Sequence, residues 1–587
     1  MTTSPHTPSR YQQAIYAAVA DAVDDMRAGR PYRHIVVDAT AGSGKTSTLV
    51  ETCRRLPDVR AVVVAFGKRN ADELQAKLPS SARASTLHSL GNAAWVETLG
   101  GRRYAPEVAV EGHSRPGKIA RIINAEVEAG RIPKWFKFKV AKLVDLARMH
   151  GIVPGSRRKG ASGRGVGGRL GGEDEGALND DLGASGATSL FTPGDVAVND
   201  VLTLHGLVDD VDTTWESLMS HYDIYVNGAS PGQLIGWSRD VLRKTIRYSH
   251  RVVDYTDMLY LPTLAAGSRW RLDGEVLFVD ELQDLDHLQR QMVLRLIAGG
   301  RCVFVGVGDP QQAIFAWRGA DADSMAKIRT ATRAVELPLS ICYRCPRSHI
   351  AMAQTLVPTI EPRDGADEGV VETYDEEGMQ VGSGAATTTA ATQRPRLAAA
   401  SFRPGDLVIC RAKAPLVKAA YWLLKHHIPS RILGKDIGRG LCAFVDSMRS
   451  ATVTDLLKKV DAYTDRAVAR ACELDDDAAI EEASDRRDVI VAVADGMPES
   501  EDIDEFKTRL GHLFGDGDDR DVVVTLSTIH RAKGSEADRV WWLDHHKPDL
   551  SMSFKHPWQR DEASHLRFVA TTRARRELRL IRSEALK

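Results

Sequence analysis

Short runs of apolar, largely β-branched residues recur along the chain, and segments of helical periodicity separate them. The runs are IVVDA at 35–39, VVVAF at 62–66, VLFVD at 276–280, CVFVGVG at 302–308, DLVIC at 406–410 and DVVVTL at 521–526. A strand with one wet face alternates apolar and polar residues, whereas these runs are nearly continuous. They predict strands buried on both faces, which is the signature of a parallel sheet covered by helices. The pattern therefore predicts an α/β protein with two such sheets.

Three segments break the pattern. Residues 151–176 hold 10 glycines in 26 positions, and the bias continues more weakly to about 189. Such a stretch cannot offset its ordering entropy by burying apolar surface, so it reads as a flexible insertion. Residues 378–403 are rich in Ala, Thr and Gly and read as a linker. Residues 473–505 carry 14 acidic residues against two arginines, which suits a solvated helical face and repels phosphate.

Composition narrows the class without naming a chemistry. With 587 residues, 43% hydrophobic and 27% charged, the chain is a multidomain globular protein rather than a disordered or fibrous one. Lys plus Arg total 78 against 79 Asp plus Glu, so bulk charge implies no polyanion partner and any nucleic-acid site must be local. One window offers such a site. Arg131 to Arg148 carries six cations against one Asp, with Trp135, Phe136 and Phe138 interleaved, although an amphipathic helix with a core face would look the same. No apolar run approaches the ~20 residues of a membrane-spanning helix. The opening MTTSPHTPSRYQQA has no signal-peptide core, and a cytoplasmic location is expected. The seven cysteines form no disulfide framework, and Cys342 with Cys345 lacks a second pair at zinc spacing.

The clearest chemistry follows the first run. Ala39-Thr40-Ala41-Gly42-Ser43-Gly44-Lys45-Thr46 leads from a strand into a helical pattern. Backbone N–H groups of a small-residue loop and the positive end of a helix can cradle phosphates, with Lys45 reaching the β/γ-phosphates and Thr46 holding Mg²⁺. The first glycine of the usual loop is Ala39 here. A partner site ends the third run: Asp280 at a strand terminus suits the Mg²⁺ shell, and Glu281 is placed to polarise an attacking water.

Taken in order, ATAGSGKT, DELQD (280–284), GDPQQAIFAWRGA (308–320), YRCP (343–346), TIHRAKGSEADRV (528–540) and FVATTRARRE (568–577) resemble the motifs of the UvrD/Rep/PcrA-like superfamily 1A DNA helicases. The resemblance runs from about Tyr11 to the C-terminus and is thin at 100–250 and 440–520. It implies two RecA-like parallel-sheet domains with inserted helical subdomains. The first sheet domain would occupy 1–95 and 251–335 around an inserted subdomain at 96–250. The second would occupy 336–440, with a linker at 376–404, and 520–587, around a reduced acidic insertion at 441–519.

The same resemblance assigns roles. Gln12 matches the glutamine that recognises adenine, with Gln13 the adjacent alternative. Gln312 matches the sensor of the γ-phosphate, Tyr343 the ring that stacks on adenine, Arg344 its γ-phosphate neighbour, Glu536 the carboxylate near the ribose, and Arg573 the arginine finger. The ATP site would then draw on both sheet domains. For the single strand, Phe66, Phe315 and Trp317 match stacking positions, each with a core-filling role as its alternative. Thr86, His88 and His530 match phosphate contacts or serve the structure only. Motif V reads AKGSE where Leu is usual before the glutamate.

The implied activity is an ATP- and Mg²⁺-dependent DNA helicase or translocase acting on single-stranded and tailed duplex DNA. The aromatic pair after Gln312 matches the 3′ to 5′ branch. Rivals are a translocase that displaces proteins with little unwinding, a P-loop kinase or transport ATPase, and a DNA-binding scaffold with a decayed ATP site.

Overall fold

The computed structural model describes residues 7–586 except 110–115, 156–206, 223, 225–227, 266–271, 273, 299–300, 315–322, 384–395, 474–476, 496–500, 516–522 and 547–556. The glycine-rich segment from 156 onward lies outside the described residues. The chain divides into two compact units, one of residues 1–39 and 45–339, the other of 40–44 and 340–587. No helix among the described residues is long and apolar enough to cross a membrane.

In the first unit, six described strands form one parallel sheet: β1 (Ile35–Ala39), β2 (Ala61–Val64), β3 (Ala82–Ser85), β4 (Val276–Val279), β5 (Val303–Gly308) and β6 (Val335–Leu339), in the order β6-β1-β5-β4-β2-β3. Side chains of a strand point alternately to opposite faces, and here both faces are covered. Ile35, Val37, Val63, Phe278 and Val305 face one core with the helix Arg10–Arg27. Val36, Val62, Val64, Leu277, Val279 and Phe304 face another with the inserted helices. This is why the runs read as continuously apolar. The run at 62–66 is strand only to Val64, and Phe66 follows it outside the ladder.

The inserted helices Lys118–Glu128, Lys137–Met149, Pro231–Arg247 and Tyr255–Leu264 share that second core rather than forming one of their own. They also enclose an ionic cluster that the sequence pattern does not announce. Lys118 Nζ lies 2.5 Å from Asp257 Oδ2, and Arg148 Nη1 lies 2.8 Å from Asp257 Oδ1 and 2.9 Å from Asp254 Oδ1. Lys118, Arg148 and Asp257 are 2%, 1% and 0% exposed. Burial pulls the Lys118 pKa down against the pull of Asp257, while Asp254, Asp257 and Asp145 outweigh burial at Arg148 and hold its pKa above the ordinary value.

In the second unit, eight described strands form a sheet: β7 (Val370–Tyr374), β8 (Gln380–Ser383), β9 (Leu407–Cys410), β10 (Ser430–Leu433), β11 (Phe514–Gly515), β12 (Val524–Thr528), β13 (Ala537–Leu543) and β14 (Ala574–Ile581). Their order is β8-β7-β14-β13-β9-β12-β10-β11, parallel throughout except for the β7–β8 hairpin. Residues 380–383, read from the sequence as linker, are thus strand β8: Gln380 to Ser383 pair with Glu372 to Tyr374 despite small side chains, because a tight turn delivers them to the sheet edge. Only 384–395 of that segment lies outside the described residues. The acidic stretch forms the helix Asp477–Asp495, which buries Val489, Ile490 and Val493 in the core of this unit. The architecture is α/β, with two RecA-like parallel sheets and inserted helices.

Candidate nucleotide and nucleic-acid site

Lys45 and Thr46 open the helix Lys45–Arg55 directly after the loop that follows β1, so their side chains stand at its positive end. Thr46 Oγ1 donates to Asp280 Oδ2 at 3.3 Å. From there a chain of hydrogen bonds crosses the ends of β4 and β5. Glu281 N donates to Asp280 Oδ1 (3.0 Å), Gln283 Nε2 to Glu281 Oε2 (2.7 Å), Asp309 N to Gln283 Oε1 (3.0 Å), and Gln312 Nε2 to Asp309 Oδ2 (2.5 Å). Glu281 is held at φ 53°, a left-handed conformation rare for a non-glycine residue, which is often a mark of a constrained site. Burial and the neighbouring Glu281 push the Asp280 carboxyl up to about 7 against the pull of Lys45. Burial likewise raises Asp309.

Thr46, Asp280, Glu281 and Gln312, named from the sequence, therefore lie on one connected network, and the charge of Lys45 acts on Asp280 and Asp309. Two members were not named. Gln283, fully buried, and Asp309, 1% exposed, join the acidic pair to Gln312, and their only signal was membership of the quoted motifs. Gly308 makes room for the join, since a Cβ there would stand 2.6 Å from Gln283 Oε1. Gln12 lies apart from the network: its Nε2 donates to Thr48 Oγ1 (3.1 Å) and its Oε1 accepts from Ser9 N in a capping box. Gln13 donates to Pro8 O.

The loop Thr40–Gly44 belongs by its contacts to the second unit. Gly42 O accepts from Tyr343 N (2.9 Å), and Thr40 Oγ1 donates to Ser340 O (3.0 Å). Gly42 has φ +68°, and a Cβ there would meet Arg344 Cβ at 2.7 Å and Cys342 Sγ at 2.9 Å, so only glycine fits. Ala41 is buried with Cys342 and Cys345, and Ser43 Oγ donates to Thr40 O. The Arg344 guanidinium bonds Glu536 and donates to Thr572 O (3.2 Å). Arg573, 1% exposed, donates to Val569 O (2.9 Å) and Thr572 Oγ1 (3.1 Å). Arg344, Glu536 and Arg573 thus cluster around Thr572 and the start of β14.

The residues expected on a single-strand track differ in setting. Phe66 is 44% exposed. Thr86 caps the helix Leu87–Thr98, its Oγ1 accepting from Ser89 N at 3.1 Å. His88 meets Tyr255 edge-on at 6.0 Å, and burial lowers its pKa. His530 lies 3.6 Å from Glu562. Phe315 and Trp317 lie outside the described residues.

The described donors around Lys45 are hydroxyl and carboxylate oxygens, the hard donor set that suits Mg²⁺. The AAA domain family matches residues 25–318, half of the chain. The chain is similar to the ATP-dependent DNA helicase Rep of Salmonella typhimurium, 31% identical over 24% of this chain and 23% of that protein. It is also similar to Rep of Escherichia coli, 40% identical over 12% of this chain and 11% of that one. RecBCD enzyme subunit RecB of Mycolicibacterium smegmatis is 29% identical over 21% of this chain and 12% of its own. Each aligned stretch spans about a quarter or less of the relative's length. With the AAA domain over half its length and the Rep helicases among its relatives, the chain belongs to the UvrD/Rep-like superfamily 1 helicases.

Proposed function

We propose that the chain is an ATP- and Mg²⁺-dependent DNA helicase or single-strand translocase that moves 3′ to 5′. The observation that carries the reading is the hydrogen-bonded chain from Thr46 through Asp280, Glu281, Gln283 and Asp309 to Gln312. It ties a phosphate-binding helix start to an acidic pair and to a glutamine, the three parts that phosphoryl transfer to water requires.

In this reading Lys45 balances the charge of the β/γ-phosphates. Thr46 Oγ1 and Asp280 hold Mg²⁺, which supplies charge neutralisation on the phosphate oxygens. Glu281 orients the attacking water and accepts its proton. Gln312 contacts the γ-phosphate, and through Gln283 and Asp309 any shift in Gln312 is felt at Glu281. Arg344 and Arg573 supply positive charge to the transferring phosphoryl, a contribution of roughly 10³–10⁵ in rate for a finger acting in cis or in trans. Tyr343 and Gln12 take the adenine, and Glu536 the ribose. Phe66, Phe315 and Trp317 hold successive bases by stacking, with Thr86, His88 and His530 at the phosphates. The direction is taken from the aromatic pair at 315 and 317. A cytoplasmic location fits this work.

The test measures ATP hydrolysis with and without single-stranded DNA, beside unwinding of 3′-tailed and 5′-tailed duplexes and displacement of streptavidin from a biotinylated strand. The reading expects strand-stimulated hydrolysis and unwinding from 3′ tails alone. Hydrolysis indifferent to DNA would return the chain to the ATPases that ignore nucleic acid. Streptavidin displacement without unwinding would narrow it to a protein-stripping translocase.

A further inference from the structure

The basic aromatic window of the inserted helices resolves into two unlike halves. A 3-10 turn at Lys134–Phe136 leads into the helix Lys137–Met149. Phe136 turns inward, 2% exposed, with its ring 5.2 Å from Trp237. Val140, Leu143, Val144 and Ala147 continue that inner face into the core. The window is thus an amphipathic helix, as one reading of the sequence allowed. On the opposite face Trp135 is 69% exposed and Phe138 is 81% exposed.

Two large rings left in water three residues apart need a reason, because solvent exposure forfeits most of the free energy their burial offers. Their neighbours supply one. Lys134 and Lys142 are exposed and Lys137 and Lys139 half-exposed, while no Asp or Glu occurs from 131 to 144. The next carboxylate, Asp145, is bonded to Arg148. The face therefore offers flat π surfaces and ammonium groups, Lys142 Nζ also donating to Tyr222 O at 3.4 Å, and residues 131–144 themselves add no carboxylate, in a chain whose net charge is only −1. Bases and phosphates of an unpaired strand match both features, since stacking is indifferent to base identity and lysines answer the backbone. An anionic membrane surface would also attract lysines, but an interfacial helix needs an apolar stripe along its length, and here that stripe is spent on the core.

We propose that this face is a second anchor for single-stranded nucleic acid, with Trp135 and Phe138 stacking on bases and Lys134 and Lys142 at phosphates. The proposal deepens the motor reading and rests on it for the identity of the polymer. A strand held here as well as at the motor residues gains affinity by linkage, so the anchor matters for strands long enough to reach both.

The test uses the full chain and fluorescent oligothymidylates of about 10 and about 40 nucleotides. Trp135→Ala/Phe138→Ala should weaken binding of the long strand at least tenfold and the short strand less, with little change in the thermal melt because both rings lie mostly in solvent. Lys134→Gln/Lys142→Gln gives an independent readout: the slope of log affinity against log salt should fall by roughly 1.4, the value for two phosphate contacts on a single strand. Long-strand affinity within twofold of wild type, or an unchanged salt slope, overturns the anchor while leaving the motor reading intact. A wild-type chain that binds neither oligonucleotide overturns both. Ring-dependent sedimentation with phosphatidylglycerol vesicles, without ring-dependent oligonucleotide binding, would reassign the face to a membrane.

Discussion

Thr46 Oγ1 and Asp280 Oδ2 meet at 3.3 Å although 234 residues separate them in sequence. The contact sets side by side the hydroxyl and carboxylate oxygens that the proposed reading assigns to Mg²⁺. The Asp280 carboxyl is also costly where it stands, buried beside Glu281. Asp280→Asn should therefore lower ATP turnover by several kcal/mol of lost transition-state stabilisation, roughly 10²-fold or more. It should leave the melting temperature unchanged or slightly raised. A variant that loses stability and keeps turnover would remove Asp280 from the metal site.

Gln283 is the residue on which the network turns, since it donates to Glu281 and accepts from Asp309. Gln283→Ala leaves the buried Asp309 N–H without that acceptor, at a cost of about 1–3 kcal/mol in stability. If the link also positions Glu281, kcat should fall more than KM changes. Steady-state ATPase kinetics separate the two, and a stability loss with normal kcat would make Gln283 purely structural.

The ionic cluster in the inserted helices makes a sharper demand. Removing one partner strands the others in the interior, so Asp257→Ala should cost about 3–5 kcal/mol, far more than an exposed ion pair is worth. Urea unfolding reads the difference. A loss below about 1 kcal/mol would mean that water reaches the cluster.

His34 makes the stability of the fold depend on pH. Its Nδ1 accepts from Phe304 N at 3.0 Å, which requires the neutral ring, and burial lowers its pKa below the usual value. The unfolded chain takes up a proton near pH 6.5, whereas the folded one takes it up only at lower pH. The stabilisation is therefore full above that pH and fades as pH falls, by at most about 1.4 kcal/mol per unit. His34→Gln, whose carbonyl accepts the same bond at every pH, should flatten the profile between pH 7.5 and 5.5. An equal slope in both proteins would assign the effect to another group.

Much of this site was legible because its chemistry is local. A phosphate loop declares itself in the eight residues 39–46, and an acidic pair in two. The β-branched runs told the two sheets apart because burial on both faces leaves no polar positions. What stayed hidden depends on residues far apart in sequence. Nothing in the order of residues says that Lys118 will find Asp257, or that Gln283 will bridge to Asp309. The window at 131–148 was ambiguous because its two faces answer to different solvents, and only the turn at Lys134–Phe136 decides which ring goes inward. Strand β8 was missed because small residues at a sheet edge and a linker have the same composition.

The position of β1 in its sheet bears on synthesis as well as on catalysis. Its two neighbours are β5 and β6, and Ile35 pairs with Val335, 300 residues later. At ~5–20 residues per second the ribosome needs ~15–60 s to deliver that partner. Until β5 is made, late in that interval, the apolar strand next to the phosphate loop has neither of its native ladders. The inserted helices, complete well before, can assemble first only against β1, β2 and β3. The nascent chain thus carries an unpaired, aggregation-prone segment for tens of seconds, and its yield in cells should depend on chaperones that shield residues 35–39 until β6 emerges.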